Sequence, residues 1–349
     1  MKLQPNDLYA HTSHGRRAWW IATLLLLVTF ITVYISVTNG AFDMSVVDVA
    51  RTLLRIDPSP QYDLVVFDFR LPRIVLALLV GFGLGIAGAV IQGVTRNGLA
   101  DPGMLGINAG ASMAVVLFML LFRHTLELSG WLAYMAMPLF GLAGGMLAVG
   151  VIFWLARSNG VLDPQQLILV GIAVSSGFGA ITLYVSLKMN PNDFEAAAVW
   201  LAGSLHSANW RYIGATLPWL LVFTPYLWYR SRMLDVLQLH DESALSLGVG
   251  LGRQRRQLIL AAVGIVAACV SVSGGIGFVG LIAPHIARRL VGVHHRYMLP
   301  ISGLIGMLMV VLADLIGKTI FAPAQLAAGI VISLIGVPYF VYLLFRSRV

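Results

Sequence analysis

Ionisable side chains are sparse in this sequence, so the few that interrupt its apolar stretches are where chemistry has to reside. Arg70-Leu71-Pro72-Arg73 sets two guanidinium groups three residues apart, which makes them neighbours on a helix surface. Lys318 follows Asp314 by one turn at the edge of another apolar stretch. Cations in such places recognise acidic groups, and their plainer role is headgroup anchoring through long alkyl stems. A third group is Asp241-Glu242-Ser243-Ala244-Leu245-Ser246-Leu247-Gly248, which reads as a short helix stopped by glycine. A surface linker has no need of Ala244, Leu245, Leu247 and Val249 beside acidic residues, so this segment is predicted to be a small knob inserted into another protein.

Other patterns fail on context. Gly83-Leu84-Gly85-Ile86-Ala87-Gly88 fits a dinucleotide fingerprint, but it lies inside an apolar stretch of helical length instead of opening a helix after a strand. Gly317-Lys318-Thr319 resembles the end of a phosphate-binding loop, yet Leu312 stands where the first glycine is required. His294 and His295 lack the i, i+4 spacing of a helical metal pair. The single cysteine, Cys269, excludes a disulfide framework or a paired-cysteine metal site. No GxSxG or HExxH pattern lies in an apolar segment, so the chain is read as a non-enzyme without a metal or cofactor of its own.

The elements that must position these residues follow from composition. Of 349 residues, 58% are hydrophobic and only 11% charged, against about 25% charged in soluble proteins. Mean hydropathy is +0.85, and a bilayer core needs about 20 apolar residues per helix. Candidate spans are 18–37, 71–94, 103–122, 131–156, 165–187, 212–229, 256–273, a short one at 277–290, then 298–317 and 325–346. Segment 46–54 reads as an interfacial amphipathic helix and 196–205 as a half-length helix. Irregular backbone at 196–205 and at Gly274-Gly275-Ile276-Gly277 is expected to face protein or a water-filled path, because lipid cannot satisfy it. The first apolar run is too long for a signal-peptide core and is read as a retained span. With the N-terminus inside, 15 of the 23 Lys and Arg fall on the cytoplasmic side. That bias accounts for the net charge of +8 without nucleic acid. Gly81, Gly85 and Ala89, and Gly141 with Gly145, recur every fourth residue, a spacing that lets helices approach closely in lipid. The fold class is an all-α polytopic membrane bundle of about ten helices. A secondary transporter would need acidic coupling-ion residues within its spans, and only Asp314 qualifies.

Several segments in order carry a resemblance. Arg70 to Arg73, Gly88-Ala89-Val90-Ile91-Gln92, Asn97 to Gly106 and Ala109-Gly110-Ala111 lie in the first half. Glu242 to Gly248, Gly275 to Arg288, Ala313-Asp314 and Gly329 to Phe340 lie in the second. Over about 70–346 the chain resembles FecCD-type permeases of ABC importers for iron-siderophores, haem and cobalamin. The resemblance implies a single permease domain over 1–349, with a short cytoplasmic tail at 1–17 and a coupling loop at about 231–257. It implies a second permease subunit, two ATPase subunits that carry ATP and Mg, an extracytoplasmic substrate-binding protein, and a bacterial cell membrane with both termini cytoplasmic. It favours a ferric siderophore as substrate, with haem or cobalamin as the alternative. By residue, Arg70, Arg73 and Lys318 match the sockets for acidic groups of the binding protein. Lys318 keeps the charge but lacks the bidentate fork of an arginine. Asn97 and Leu99 match one side of a cytoplasmic gate, and Pro164 and Gln165 the other. Glu242, Ala244, Leu247 and Gly248 match the coupling helix that docks in the ATPase, with Ala244 and Leu247 on the inserted face.

Overall fold

The computed structural model describes residues 5–39, 44–56, 59–122, 131–158, 161–162, 164–322 and 324–346. In chain order the helices are α1 (Pro5–Thr38), α2 (Val46–Leu53), α3 (Pro60–Asp63), α4 (Leu71–Thr95), α5 (Ile107–Leu121), α6 (Trp131–Leu155), α7 (Pro164–Ser186), α8 (Pro191–Leu201), α9 (Trp210–Tyr229), α10 (Ser231–Val236), α11 (Asp241–Ser246), α12 (Leu251–Ser273), α13 (Val279–Val291), α14 (His295–Thr319) and α15 (Ala328–Arg346). A two-residue antiparallel ladder, Arg157–Ser158 with Val161–Leu162, joins α6 to α7. All ten apolar segments fold as helix. Seven helical stretches among the described residues are long and apolar enough to cross a membrane. The other three are α5, α9 and the 13-residue α13, which at about 20 Å crosses only part of a bilayer core.

Helix boundaries differ from the sequence expectation where polar residues do not break the backbone. α1 runs for 34 residues, so residues 5–17 of the tail are helical and continuous with the first span. The second span begins well before Leu71. Pro60–Asp63 leads through a π-helical stretch, Leu64–Arg70, directly into α4. There the Leu71 N–H bonds to the Val66 carbonyl, a wide turn that suits the approach to Pro72, which has no N–H to give. The half-length helix lies at Pro191–Leu201. Asn190 caps it by accepting the Asp193 N–H at 2.9 Å, with Pro191 in the first turn, and Gly203 (φ +78°) follows its end.

α4 is the axis of the bundle. It is apolar on every face and buried along most of its length, between α14, α12, α13 and α9. A Cβ at Gly81 or Gly85 would collide with the backbone of Gly306 or Ser302 on α14, so these two helices touch backbone to backbone. On α6 the tightest approach is made by Gly144 against Gly110 of α5, in preference to Gly141 or Gly145. The irregular segments pack on one another as expected: Gly274 lies against the Trp200 carbonyl, and the Gly329 N–H bonds to the Gly203 carbonyl at 3.0 Å.

Substituting Gly85→Val should cost on the order of 1–3 kcal/mol by overpacking and lower the melting temperature of the detergent-solubilised protein. Gly214→Ala on α9, where an added Cβ meets nothing within 4 Å, should leave melting unchanged or raise it. Thermal unfolding followed by size-exclusion chromatography separates the two outcomes.

Candidate functional site: the two ends of the bundle and the cavities between them

At one end α1 stops at Thr38, leaving its last carbonyls without helical partners. Arg70 Nη1 donates to Val37 O at 2.5 Å, and Lys318 Nζ donates to Ser36 O at 2.6 Å and Ser36 Oγ at 2.7 Å. Asn39 Nδ2 donates to Ile35 O at 3.0 Å. Two cations thus close the negative end of the α1 dipole. Arg73 is held differently: Nε bonds to Asp314 Oδ1 at 2.8 Å and Oδ2 at 3.1 Å, and Nη1 to Gln325 Oε1 at 2.8 Å. Arg70 and Arg73 were expected to present two cations to solvent. The structure corrects this, since Arg70 is buried and the Arg73 and Asp314 side chains are 15% and 3% exposed. Orphan carbonyls of α1 and a carboxylate one turn before Lys318 take up these cations instead.

At the opposite end stands α11, the predicted knob. Its C-terminus closes as a Schellman motif: the Gly248 N–H bonds to Leu245 O at 2.8 Å and the Val249 N–H to Ala244 O at 3.3 Å, with Gly248 at φ +77°. Ala244 is fully buried within its own chain, while Leu245 and Leu247 are 57% and 65% exposed. Ala244, expected beside Leu247 on a face presented to a partner, is instead covered by its own chain, and the apolar side chains this segment exposes are Leu245 and Leu247. Ala244 is the small contact by which the knob sits on its base. Glu242 is exposed beside it.

Asp241, the first residue of α11, accepts Arg96 Nη2 at 2.5 Å and Arg255 Nη2 at 2.7 Å. Arg96 caps the end of α4 in a left-handed conformation (φ +52°) and also donates Nε to Leu237 O at 2.6 Å. Burial alone would raise the Asp241 carboxyl, but hydrogen bonds and charge from Arg255 and Arg96 outweigh it and hold the group below the usual carboxylate range. A second tie joins Asp235 on α10 to the start of α14. Its Oδ1 meets His295 Nδ1 at 2.7 Å and accepts the His295 N–H at 3.0 Å. Here too burial is outweighed by the His295 bonds, and the carboxyl is held low.

Between the ends, two of the cavities among the described residues flank the Gly274–Phe278 break. One, of about 370 Å³, is lined by Phe118, Tyr134, Trp200, Ser204 and Tyr212. The other, of about 550 Å³, is lined by Asp101, Asn108, Ser175, Phe278 and Phe340. Asn108 Oδ1 is buried with no hydrogen-bond partner among the described residues. Asp101 accepts the Gly103 N–H at 3.0 Å, and burial pushes its carboxyl up to about 6.

Among known proteins, the FecCD transport family matches residues 25–346. The chain belongs to this family. It is 53% identical to the iron-uptake system permease protein FeuC of Bacillus subtilis, over 93% of this chain and 97% of that protein. It is 44% identical to the iron(3+)-hydroxamate import system permease protein FhuG of the same organism, over 94% and 96%. It also superposes on an ABC transporter of metal-chelate type in an inward-facing conformation, with TM-score 0.80, 29% identity and coverage of 93% and 99%. The chain is thus a multi-pass membrane permease and a transport subunit.

Asn97 and Leu99, expected at a cytoplasmic gate, follow Arg96 directly. Asn97 Oδ1 accepts the Leu99 N–H at 2.9 Å, and Leu99 packs against the small buried cluster of Leu281, Ile282 and Leu343. Pro164 and Gln165 open α7, and their side chains lie outside the described residues. Sequence reasoning missed Arg96, Arg255, Asp235 and Asp101. Arg96 and Arg255 were counted only as loop charges, although Asp241 stood in the knob as a carboxylate able to bind both arginines.

Three outcomes are expected. Leu245→Glu with Leu247→Glu should lower substrate-stimulated ATP hydrolysis by the assembled transporter at least about tenfold, since a charge buried unpaired is strongly unfavourable, while binding-protein affinity stays within twofold. Ala244→Glu should instead reduce folded yield. Asp101 binds its proton more tightly folded than unfolded, so stability should fall by up to about 1.4 kcal/mol per pH unit as pH rises from about 4 to 6. Asp101→Asn keeps an acceptor for Gly103 and should flatten that window in melting measured against pH. Identical profiles for the two proteins would remove the buried charge from the account.

Proposed function

We propose that this chain is the membrane-spanning permease subunit of an ATP-driven ABC importer that passes a ferric siderophore inward from an extracytoplasmic binding protein. The observation that carries this reading is the joining of an exposed Leu245–Leu247 knob to the inner end of α4 through Asp241 and Arg96. Such a connection serves a transporter whose energy comes from another subunit. The relatives named for iron uptake and iron(3+)-hydroxamate import support the substrate class.

In this reading ATP and Mg bind the partner ATPase subunits, and the permease holds no cofactor. A second permease subunit completes the path. The exposed apolar face of α7, with Leu169, Leu183 and Leu187, and the 550 Å³ cavity that α7 helps line are where that subunit would pack. The knob end is cytoplasmic, as are both termini, and the membrane is the bacterial cell membrane. Arg70, Arg73 and Lys318 form the basic rim for the binding protein, whose acidic groups would compete with Asp314 and the α1 carbonyls. Asn97 and Leu99, with Pro164 and Gln165, form the cytoplasmic gate. Glu242, Leu247 and Gly248 dock the ATPase, with Ala244 as their support.

The test is ATP hydrolysis by the reconstituted transporter with its binding protein, loaded in turn with ferric hydroxamate and catecholate siderophores, haem and cobalamin. Stimulation by a ferric siderophore and not by the other two is the expected result. Stimulation by haem or cobalamin alone would replace the substrate assignment.

A further inference from the structure

Between α1 and α9, at the knob end of the bundle, lies a mostly apolar cleft of about 760 Å³, within the roughly 300–1,000 Å³ of ordinary ligand sites. Phe82 and Ile86 of α4 form its floor, Ala22 and Leu26 of α1 one wall, and Trp19 and Trp228 its mouth. The two indoles are 77% and 52% exposed. The mouth has a definite cause. Pro300 has no N–H, so the carbonyl of Arg296, four residues earlier, lacks its helical donor. Trp228 Nε1 supplies one at 3.1 Å and is thereby fixed beside Arg296.

The charges at the rim are not used by the protein. Arg296 reaches the cleft, is exposed, and its guanidinium has no hydrogen bond or ion pair among the described residues. Arg16 is likewise exposed and without such a partner. It lies seven residues before Thr23, which lines the cleft, and so shares that edge of α1. The approach of α1 to α14 here is close, since a Cβ on Gly15 would sit 3.4 Å from Tyr297 Oη. The nearby Asp235 is taken up by His295. An apolar slot with indoles at its mouth and two unpaired arginines above it matches a molecule with a hydrocarbon body and an anionic head.

We propose that this cleft binds an acyl chain of an anionic phospholipid whose phosphate lies between Arg296 and Arg16. α1 is exposed along most of its length through Trp20, Leu27, Phe30 and Ile31. The cleft therefore opens sideways into hydrocarbon, which favours lipid over a soluble anion. The inference rests on the chain's being a membrane protein and is independent of the substrate assigned above.

The test uses the assembled transporter in detergent and the quenching of tryptophan fluorescence by phosphatidylglycerol or phosphatidylcholine carrying dibrominated acyl chains. Trp19 and Trp228 report from the mouth itself. Half-quenching should require about fivefold less phosphatidylglycerol than phosphatidylcholine, the scale set by one or two basic contacts. Arg296→Gln with Arg16→Gln should abolish that preference without affecting folding, because both side chains are exposed. Trp19→Phe with Trp228→Phe should remove the preferential component and leave the rest. Glycerol phosphate, which has the anion but no chain, should not compete. Equal quenching by the two lipids, a preference that survives the arginine pair, or displacement by glycerol phosphate would each overturn the assignment. A preference present in the isolated chain but lost in the assembled transporter would mean that the cleft is covered by protein, and would overturn it equally.

Discussion

The carboxylate of Asp241 holds three elements at one point. It receives a guanidinium N–H from Arg96 at the end of α4 and another from Arg255 at the start of α12, while being the first residue of α11. A six-residue helix has no stability of its own, so what fixes α11 is the burial of Ala244, the turn at Gly248 and this clamp. The Asp241 side chain is 48% exposed, and ion pairs in such surroundings contribute about 0–1 kcal/mol. The contribution is therefore geometric: a force applied to Leu245 and Leu247 reaches α4 through one residue.

A rigid α4 makes that connection useful. Gly81 and Gly85 bring its backbone against α14, and the same contact sets Arg73 opposite Asp314 at the far end. Those two charges are nearly dry, where removal of one partner is costly because the other is left unpaired. That end is closed further by Arg70 and Lys318 on the carbonyls of α1. Each end of α4 thus carries an arginine bound to a carboxylate, and the Asn97–Leu99 turn begins directly after Arg96.

Much of this is legible in the sequence because lipid leaves few choices. Apolar length fixes where helices are, and glycine spacing correctly placed the contact of α4 with another helix. Gly248 was readable as a helix stop because glycine after a short helical run commonly takes the left-handed cap conformation. What was not legible depends on distance along the chain. Arg70 reads as an exposed cation until the end of α1, more than thirty residues earlier, is brought beside it. Ala244 reads as part of an apolar knob until α12 is folded beneath it. On α6, Gly144 and Gly145 are equally small, and only the position of α5 decides that Gly144 makes the contact. Asp241 looked like one of two acidic residues at a helix start, a place where carboxylates are common for dipole reasons alone.

The central claim is that Asp241 couples the knob to α4 through Arg96. A double-mutant cycle of Arg96→Gln and Asp241→Asn, read as substrate-stimulated ATP hydrolysis by the reconstituted transporter, tests it most directly. Each single change is predicted to lower stimulation by a similar factor, and the double change to be no worse than either. Losses that multiply independently, or singles that leave stimulation intact, would contradict it.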